Sequence, residues 1–446
     1  MIRLLAILVF AASWAGVAST RSPAPVPVAR DRAIVGYVFA NGRTLAPSDV
    51  DVEKLTHVNY AFANVIDGLV VEGAPQDTDN LRALTELRRA HPHVKILVSV
   101  GGWTWSKGFS DAALTEESRR RFVDSAVRFV RRHALDGVDI DWEYPALPGD
   151  QNPHRPEDTT NFTALMADLR TALDAEGRQS GRSQLVTMAA GAFPNFIAHT
   201  EMGAVARSVD LVNLMTYDFR VQSVDRIAGH HANLRMHPDD DKQLSIERAV
   251  ADFRAAGVPS SKLTVGVPFY SRGWEQVRPE RNGLYQPGVP LASRPDTTPP
   301  GIEALLASDA GWMRGWDDVA QAPYLWPRPR HVFISIEDPK SLGLKARYVR
   351  EQGLAGMMFW QYFDDASGQL LDAMVRELWD ETPRERMGTR LKPGPTIPGR
   401  PGCVPPRLSP ARRLSRPPSP YPAPTPTRVE NGSSARRRRC SAWGGP

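Results

Sequence analysis

Short apolar runs with strand character recur along residues 33–360, and amphipathic helical patterns separate them. In residues 116–132, for example, Phe122, Ala126, Phe129 and Val130 follow helical spacing, and charged side chains fill the opposite face. Eight strands that alternate with helices predict a closed (β/α)8 barrel, the TIM-barrel fold. An open doubly wound sheet is the alternative, but no Gly-rich phosphate-binding loop follows any of the predicted strands. The predicted strands lie at residues 33–38, 56–63, 94–100, 135–145, 185–190, 211–217, 263–269 and 354–360.

The fourth predicted strand carries an unusual density of carboxylates. Asp139, Asp141 and Glu143 alternate with the apolar residues Ile140 and Trp142, so in a strand the three acids share one face. Carboxylates crowded on a buried face repel one another and lose hydration, which costs stability. A solvated edge strand or a carboxylate cluster around a cation would be the structural explanation. The apolar flanks favour a catalytic set of acids instead.

The gap between the seventh and eighth strands is too long for a single helix. Residues 275–335 contain many prolines and aromatic residues and predict a small α+β insertion, which could wall one side of a cleft. We therefore expect residues 31–380 to form one catalytic barrel that includes this insertion.

Both ends of the chain differ in composition from the barrel. Residues 1–19 resemble a signal peptide: Arg3 precedes a short apolar run, and small residues follow at the cleavage point. Retention of this segment as a membrane anchor is the alternative. Residues 20–30 are typical of a linker, and the Pro/Arg-rich residues 381–446 predict a disordered tail. These features indicate a secreted, extracellular protein, or a periplasmic one in a Gram-negative bacterium, without stable membrane insertion.

Charge and cysteine content exclude several kinds of function. The net charge is +5, but residues 388–446 alone hold 12 Lys or Arg and one acidic residue. The barrel is therefore acidic overall and gives no reason to expect nucleic-acid binding. Cys403 and Cys440, the two cysteines, both lie in the tail. The barrel consequently has no disulfide, thiolate metal site or cysteine nucleophile.

Polar and aromatic residues concentrate where the predicted strands end, which is the face of a (β/α)8 barrel that holds active sites. Aromatic faces stack on sugar rings, and carboxylates protonate or hydrogen-bond sugar oxygens, so this mixture favours glycoside cleavage. The strand ends in question are Asp141-Trp142-Glu143-Tyr144, Met215-Thr216-Tyr217-Asp218, Phe269-Tyr270-Ser271-Arg272 and Trp360-Gln361-Tyr362.

Several motifs, in order along residues 31–378, resemble those of family-18 glycoside hydrolases, the chitinase family. Residues 136–143, Asp-Gly-Val-Asp-Ile-Asp-Trp-Glu, are similar to that family's DxxDxDxE signature. Residues 99–102 resemble its SxGG motif, and residues 215–218 its MxYD element. Residues 266–270 and 358–360 also match.

The resemblance implies a retaining mechanism in which the 2-acetamido group of the substrate is the nucleophile. Glu143 would be the general acid and base, and Asp141 would hold the acetamido N–H. Asp139 would share a proton with Asp141, and Tyr217 would bind the acetamido carbonyl. Trp360 would form the floor beneath the reacting sugar. Further expected substrate-binding residues are Met215, Asp218, Tyr270, Arg272, Tyr144, Gly102 and Trp103, and expected structural residues are Asp136, Ser99 and Gly101.

The expected substrate is chitin or an N-acetylglucosamine oligosaccharide, bound by a monomer without cofactor or metal. A hydrolase of another N-acetylglucosamine polymer, such as peptidoglycan or an N-glycan, is a second possibility, and a non-catalytic chitin-binding lectin is a third. Non-catalytic relatives typically replace the acid, whereas Glu143 is present here. The adjacent His230 and His231 suggest a metal pair, but neighbouring side chains diverge, and we assign none.

Two positions depart from the family pattern. Residues 219–223 lack a tryptophan that many relatives have there, which leaves the aglycon subsites open. Ser271 stands where glycine is common and could narrow the cleft.

Overall fold

The structure is a computed structural model that describes residues 30–308, 310–327 and 330–379. Eight parallel strands close into a barrel in the order β1, β14, β8, β7, β6, β5, β4, β2, and β2 pairs again with β1. The short strand β3 extends β2 as an antiparallel hairpin. The predicted (β/α)8 barrel is therefore confirmed. The strands of this sheet are β1 (Ala33–Phe39), β2 (His57–Ile66), β3 (Leu69–Glu72), β4 (Lys95–Gly101), β5 (Gly137–Asp141), β6 (Leu185–Gly191), β7 (Leu211–Met215), β8 (Leu263–Pro268) and β14 (Gly356–Trp360).

Amphipathic helices surround the barrel, and local sequence signals fix their ends. Thr115 caps one of them through its side chain and forms a capping box with Ser118. The longest ends at Gly181, which adopts the left-handed conformation that glycine accepts at low cost. The helices are α1 (Asp77–Ala90), α2 (Phe109–Ala113), α3 (Glu116–Arg132), α4 (Asp158–Ser180), α5 (Pro194–Ala198), α6 (Met202–Val205), α7 (Ile246–Ala255), α8 (Pro299–Ala307), α9 (Pro339–Glu351) and α10 (Gln369–Trp379).

A second sheet of five antiparallel strands lies between β8 and β14 in the chain. Trp274 and Phe333 belong to one apolar cluster of this region, and Ile302 of α8 belongs to another. The sheet begins at Arg272, two residues after Tyr270, so it is joined directly to the carboxyl end of β8. Its strands are β9 (Arg272–Glu275), β10 (Val289–Pro290), β11 (Arg314–Asp317), β12 (Ala322–Leu325) and β13 (Phe333–Ser335).

Side chains along β5 point alternately toward the surrounding helices and toward the barrel interior. Val138 and Ile140 pack into the large apolar core between strands and helices, and Asp139 and Asp141 occupy the alternate positions. The barrel interior holds a separate small cluster that includes Tyr37 of β1. The acids of β5 thus face a lumen that is partly polar.

The predicted signal peptide (1–19) and tail (381–446) lie outside the described residues, as does the linker (20–30) except for Arg30. Within the described part of the chain, no helix is long and apolar enough to cross a membrane.

Candidate active site

Asp139 is the most deeply held of the three acids. It is fully buried and accepts hydrogen bonds from Tyr37 Oη (2.8 Å), Ser99 Oγ (2.7 Å), Thr187 Oγ1 (2.5 Å) and Asn213 Nδ2 (3.3 Å). These donors come from β1, β4, β6 and β7. Burial raises the pKa of Asp139, and the hydrogen bonds oppose that rise. The sequence motif included Ser99, whereas the other three donors lie on strands without a recognised motif at those positions.

Asp141, two residues further along β5, is also buried, but its environment differs from that of Asp139. Its Oδ1 atom has no hydrogen-bond partner within the described residues. Burial, followed by the charges of Glu143 and Asp139, raises the pKa of Asp141 well above its usual range. A buried oxygen without a partner is destabilising, so Asp141 is arranged to accept a proton or a hydrogen bond.

Glu143 lies just beyond the end of β5 and is 9% exposed. Burial raises its pKa to about 7, hydrogen bonding by Tyr144 opposes the shift, and the charge of Asp218 adds to it. The backbone of Glu143 is fixed on both sides: its N–H donates to Ser106 Oγ (2.9 Å), and its carbonyl accepts from Asn152 Nδ2 (2.7 Å). Sequence reasoning missed Ser106 and Asn152, because Ser106 begins a 3-10 helix of only three residues and Asn152 lies in a loop, and neither segment has a recognisable pattern.

Asp218 and Arg272 form an ion pair that is close enough to Glu143 to influence its pKa. Arg272 donates two hydrogen bonds to the Asp218 carboxylate, one from Nε at 2.7 Å and one from Nη2 at 2.6 Å. Burial alone would raise the pKa of Asp218, but the contacts with His231 and Arg272 outweigh it and hold that pKa well below its usual range. Asp218 is therefore a fixed negative charge. Tyr217 and Tyr270 lie beside it with their rings 6.2 Å apart.

Trp360, at the end of β14, lies in an aromatic cluster. Its ring stacks on Phe62 (5.3 Å between centroids) and Phe39 (5.8 Å), and Tyr37 is 5.9 Å away. Trp360 is only partly buried, so one part of the indole stays accessible. The cluster gives the lumen an apolar floor.

A second group of aromatic residues lies beside Glu143. Trp103 is 52% exposed, its ring is 6.5 Å from Tyr144, and Tyr144 is 5.2 Å from Phe193. Gly101 and Gly102 precede Trp103 with positive φ values of 104° and 78°. A Cβ on Gly101 would lie 2.4 Å from the carbonyl oxygen of Asp141, so this tight approach requires glycine.

Asp136 and Met215, two further predicted residues, lie in different parts of the barrel. Asp136 stands at the amino end of β5, where it accepts from Arg88 (2.8 Å), Arg182 (2.6 Å) and the N–H of Ile96 (2.8 Å). Met215, the last residue of β7, packs beside the interior cluster.

The two adjacent histidines diverge. His230 Nε2 lies 3.2 Å from Asp317, and His231 Nδ1 lies 3.5 Å from Asp218. No group of three or more His, Cys, Asp or Glu side chains in the part of the chain that the structure describes could hold a metal ion.

Ser271 is buried, and its hydroxyl lies 2.9 Å from Thr297 Oγ1. The pair joins the end of β8 to the segment before α8. Narrowing of the cleft by Ser271 stays a prediction.

The fold and this site together define a class of protein. A (β/α)8 barrel with buried acids of raised pKa and accessible aromatic rings at the carboxyl ends of its strands is typical of glycoside hydrolases. The sequence-family model of glycosyl hydrolases family 18 matches residues 33–365 of this chain. The chain belongs to that family, and the resemblance inferred from its motifs is confirmed.

Known relatives agree with this assignment. Chitinase A1 of Niallia circulans is 36% identical over 80% of this chain and 60% of its own length, and chitotriosidase-1 of Mus musculus is 32% identical over 72% and 70%. The chain thus spans less than two thirds of the Niallia protein. Among solved structures, a family 18 N-acetylglucosaminidase from Paenibacillus barengoltzii is 41% identical with a TM-score of 0.71, covering 78% of this chain and 100% of that one.

Proposed function

We propose that this protein is a secreted chitinase that hydrolyses β-1,4-linked N-acetylglucosamine chains with retention of configuration, by a substrate-assisted mechanism. The observation that carries the proposal is the buried Oδ1 of Asp141, which has no hydrogen-bond partner in the part of the chain that the structure describes. A substrate acetamido N–H would satisfy that oxygen. The chitinases among the relatives support the choice of substrate.

In the first step, Glu143 gives its proton to the glycosidic oxygen. The acetamido oxygen of the same sugar attacks C1 from the opposite face, the C1–O bond breaks, and the leaving sugar departs as an alcohol. The raised pKa of Glu143 suits this step, because a general acid must hold its proton until the bond breaks.

Asp141 would accept the acetamido N–H and so offset the positive charge that develops on the cyclic oxazolinium ion. Asp139 lies next along the strand, and its charge contributes to the raised pKa of Asp141. The two acids would share protons, and their titration would belong to the pair. Tyr217 would donate a hydrogen bond to the acetamido oxygen, and Trp360 would support the sugar ring from below.

In the second step, Glu143 takes a proton from water, and the resulting hydroxide equivalent attacks C1. The acetamido oxygen leaves C1, and the configuration is retained because two inversions occur. Glu143 is then protonated again and ready for the next cycle.

A release of single N-acetylglucosamine units is a second candidate function. The 41% identity with the Paenibacillus N-acetylglucosaminidase favours it. The site chemistry would be the same, and the two functions would differ in where the chain is cut. A non-catalytic lectin fits less well, because Glu143 and its supporting contacts are all present.

Product analysis on chitin oligomers, peptidoglycan and a high-mannose glycan, assayed side by side, tests the proposal. We expect cleavage of the chitin oligomers into short oligosaccharides. Release of single sugars alone would select the second candidate, and turnover of peptidoglycan or the glycan without turnover of chitin oligomers would refute the chitin assignment.

A further inference from the structure

His231 is a buried titratable residue to which the proposed mechanism gives no role. It lies in the segment between β7 and α7, and its side chain is fully buried. Its backbone is fixed on both sides, since its N–H donates to Ser335 Oγ (3.1 Å) and its carbonyl accepts the N–H of Phe219 (3.1 Å). Phe219 directly follows Asp218, and Ser335 ends β13. The backbone of His231 therefore connects the second sheet with the segment that carries Asp218.

The ring of His231 contacts two residues of the site. Its Nδ1 atom lies 3.5 Å from Asp218 Oδ1, and its centroid lies 5.5 Å from that of Tyr270. The 3.5 Å separation is longer than an ordinary N–H···O hydrogen bond, and neither ring nitrogen makes a hydrogen bond within the described residues. Such a group costs stability, so packing alone would favour an apolar side chain here.

The surroundings keep the ring neutral. Burial lowers the pKa of His231 to about 4; Asp218 opposes the shift, and the cations Arg272 and Lys345 add to it. Lys345, on α9, is itself paired with the buried Glu337. A neutral imidazole has one N–H donor, and the acceptor that faces Nδ1 is Asp218.

We propose that His231 is a positioning residue whose Nδ1 edge, 3.5 Å from Asp218 Oδ1, attracts the Asp218 carboxylate as a charge–dipole contact and so helps to keep it in the fork of Arg272. Asp218 is adjacent to Tyr217 in the chain, so its placement also fixes the tyrosine that would bind the acetamido oxygen. An N–H dipole directed at the carboxylate from a separate segment restricts its rotation more than the guanidinium alone would. The expected effect of His231 on catalysis rests on the proposed function, whereas its effect on the position of Asp218 does not.

The neighbouring His230 provides a matched control. It is equally buried, but its Nε2 lies 3.2 Å from Asp317, and its ring contacts Tyr285, Tyr324 and Phe333. None of these residues belongs to the site described above. Loss of the His230 ring therefore tests the cost of losing a buried imidazole without disturbing Asp218.

The test compares His231→Asn, His231→Gln and His231→Leu with His230→Leu in the full chain. The Asn amide nitrogen takes the place of Nδ1, whereas that of Gln takes the place of Nε2. With chitotetraose as the substrate, we expect His231→Gln and His231→Leu to lower kcat roughly tenfold, because Asp218 and the adjacent Tyr217 lose part of their fixed placement, with KM within about twofold. We expect His231→Asn to retain kcat within about threefold, and His230→Leu within about twofold.

The pH profile adds a readout that a purely structural role would not move. Removal of the N–H dipole leaves the negative charge of Asp218 less screened toward Glu143, so the alkaline limb of kcat/KM should move to higher pH in His231→Leu and return in His231→Asn. The groups that face the ring, namely Asp218, Arg272, Lys345 and Tyr270, are unchanged in all variants.

Crystal structures of the variants separate this inference from the proposed function. We expect the Asp218 carboxylate to leave the Arg272 fork in His231→Leu and to stay in it in His231→Asn, even if the wild type does not cleave chitotetraose. An unmoved Asp218 in His231→Leu would overturn the proposal. With an active wild type, equal kcat values for the Asn and Gln variants, or an equal loss in His230→Leu, would also overturn it.

Discussion

Asp139, Asp141 and Glu143 have different environments because their neighbours differ. Asp139 has four hydrogen-bond donors, whereas Asp141 Oδ1 has none in the described residues. Glu143 is held at its backbone, and its carboxyl has a raised pKa. These differences in hydrogen bonding and pKa suit the three roles that we propose. Asp139 is the anchored partner, Asp141 accepts the acetamide N–H, and Glu143 donates the proton.

Replacement of Glu143 by glutamine tests the proton-transfer role. The amide keeps the size of the side chain but cannot donate a proton to the leaving oxygen, so kcat on chitotetraose should fall by about 10³-fold or more. The melting temperature should stay close to that of the wild type. Turnover near the wild-type rate would exclude Glu143 as the acid.

The pKa of Glu143 also predicts the alkaline limb of activity. The carboxyl must be protonated to act as the acid, and burial raises its pKa to about 7, so kcat/KM should fall to about half its maximum near that pH and continue to fall as pH rises further. The alkaline limb of kcat/KM reports the pKa of Glu143 in the free enzyme, and it should be measured with a soluble oligosaccharide. A profile that stays flat to pH 9 would contradict this assignment.

At the scale of elements, β5 is anchored at its start and carries the proposed catalytic acids toward its end. Asp136 binds two arginines, Arg88 from α1 and Arg182 from the segment after α4, and also the N–H of Ile96 on β4. These contacts join neighbouring parts of the barrel at the face opposite the acids. We infer a structural role for Asp136.

We expect Asp136→Ala to lower the free energy of unfolding by about 2–4 kcal/mol, because two arginines and a buried N–H lose their partner. The lower part of this range allows for the partial exposure of Arg182. Urea unfolding measures the loss, and the folded fraction should keep the wild-type KM. A stable variant with a much higher KM would place Asp136 in substrate binding instead.

The sequence predicted the strands and helices well because their periodicity is local. The period-2 alternation of Asp139 and Asp141 between apolar residues is enough to place them on the interior face. The contacts of Thr187, Asn213, Ser106 and His231 could not be predicted in the same way. They depend on which strands become neighbours and on how loops return across the barrel mouth, and no local pattern encodes that information.

At the scale of the whole molecule, the barrel brings residues from distant parts of the chain to one end. Tyr37 and Trp360 are separated by nearly the entire barrel, yet closure between β1 and β14 places their rings 5.9 Å apart. The second sheet starts at Arg272 and therefore carries one partner of the Asp218 pair. Its length and composition indicated an insertion, but its contact with the site through Arg272 was not evident from them.

Substrate assistance is the central claim, and the turnover of fully N-acetylated chitotetraose compared with that of the fully deacetylated tetramer tests it most directly. The acetamido oxygen supplies the nucleophile in our account, and the deacetylated sugar has none. We predict cleavage of the acetylated tetramer and a rate at least about 10³-fold lower for the deacetylated one. Comparable rates for the two tetramers would contradict the account.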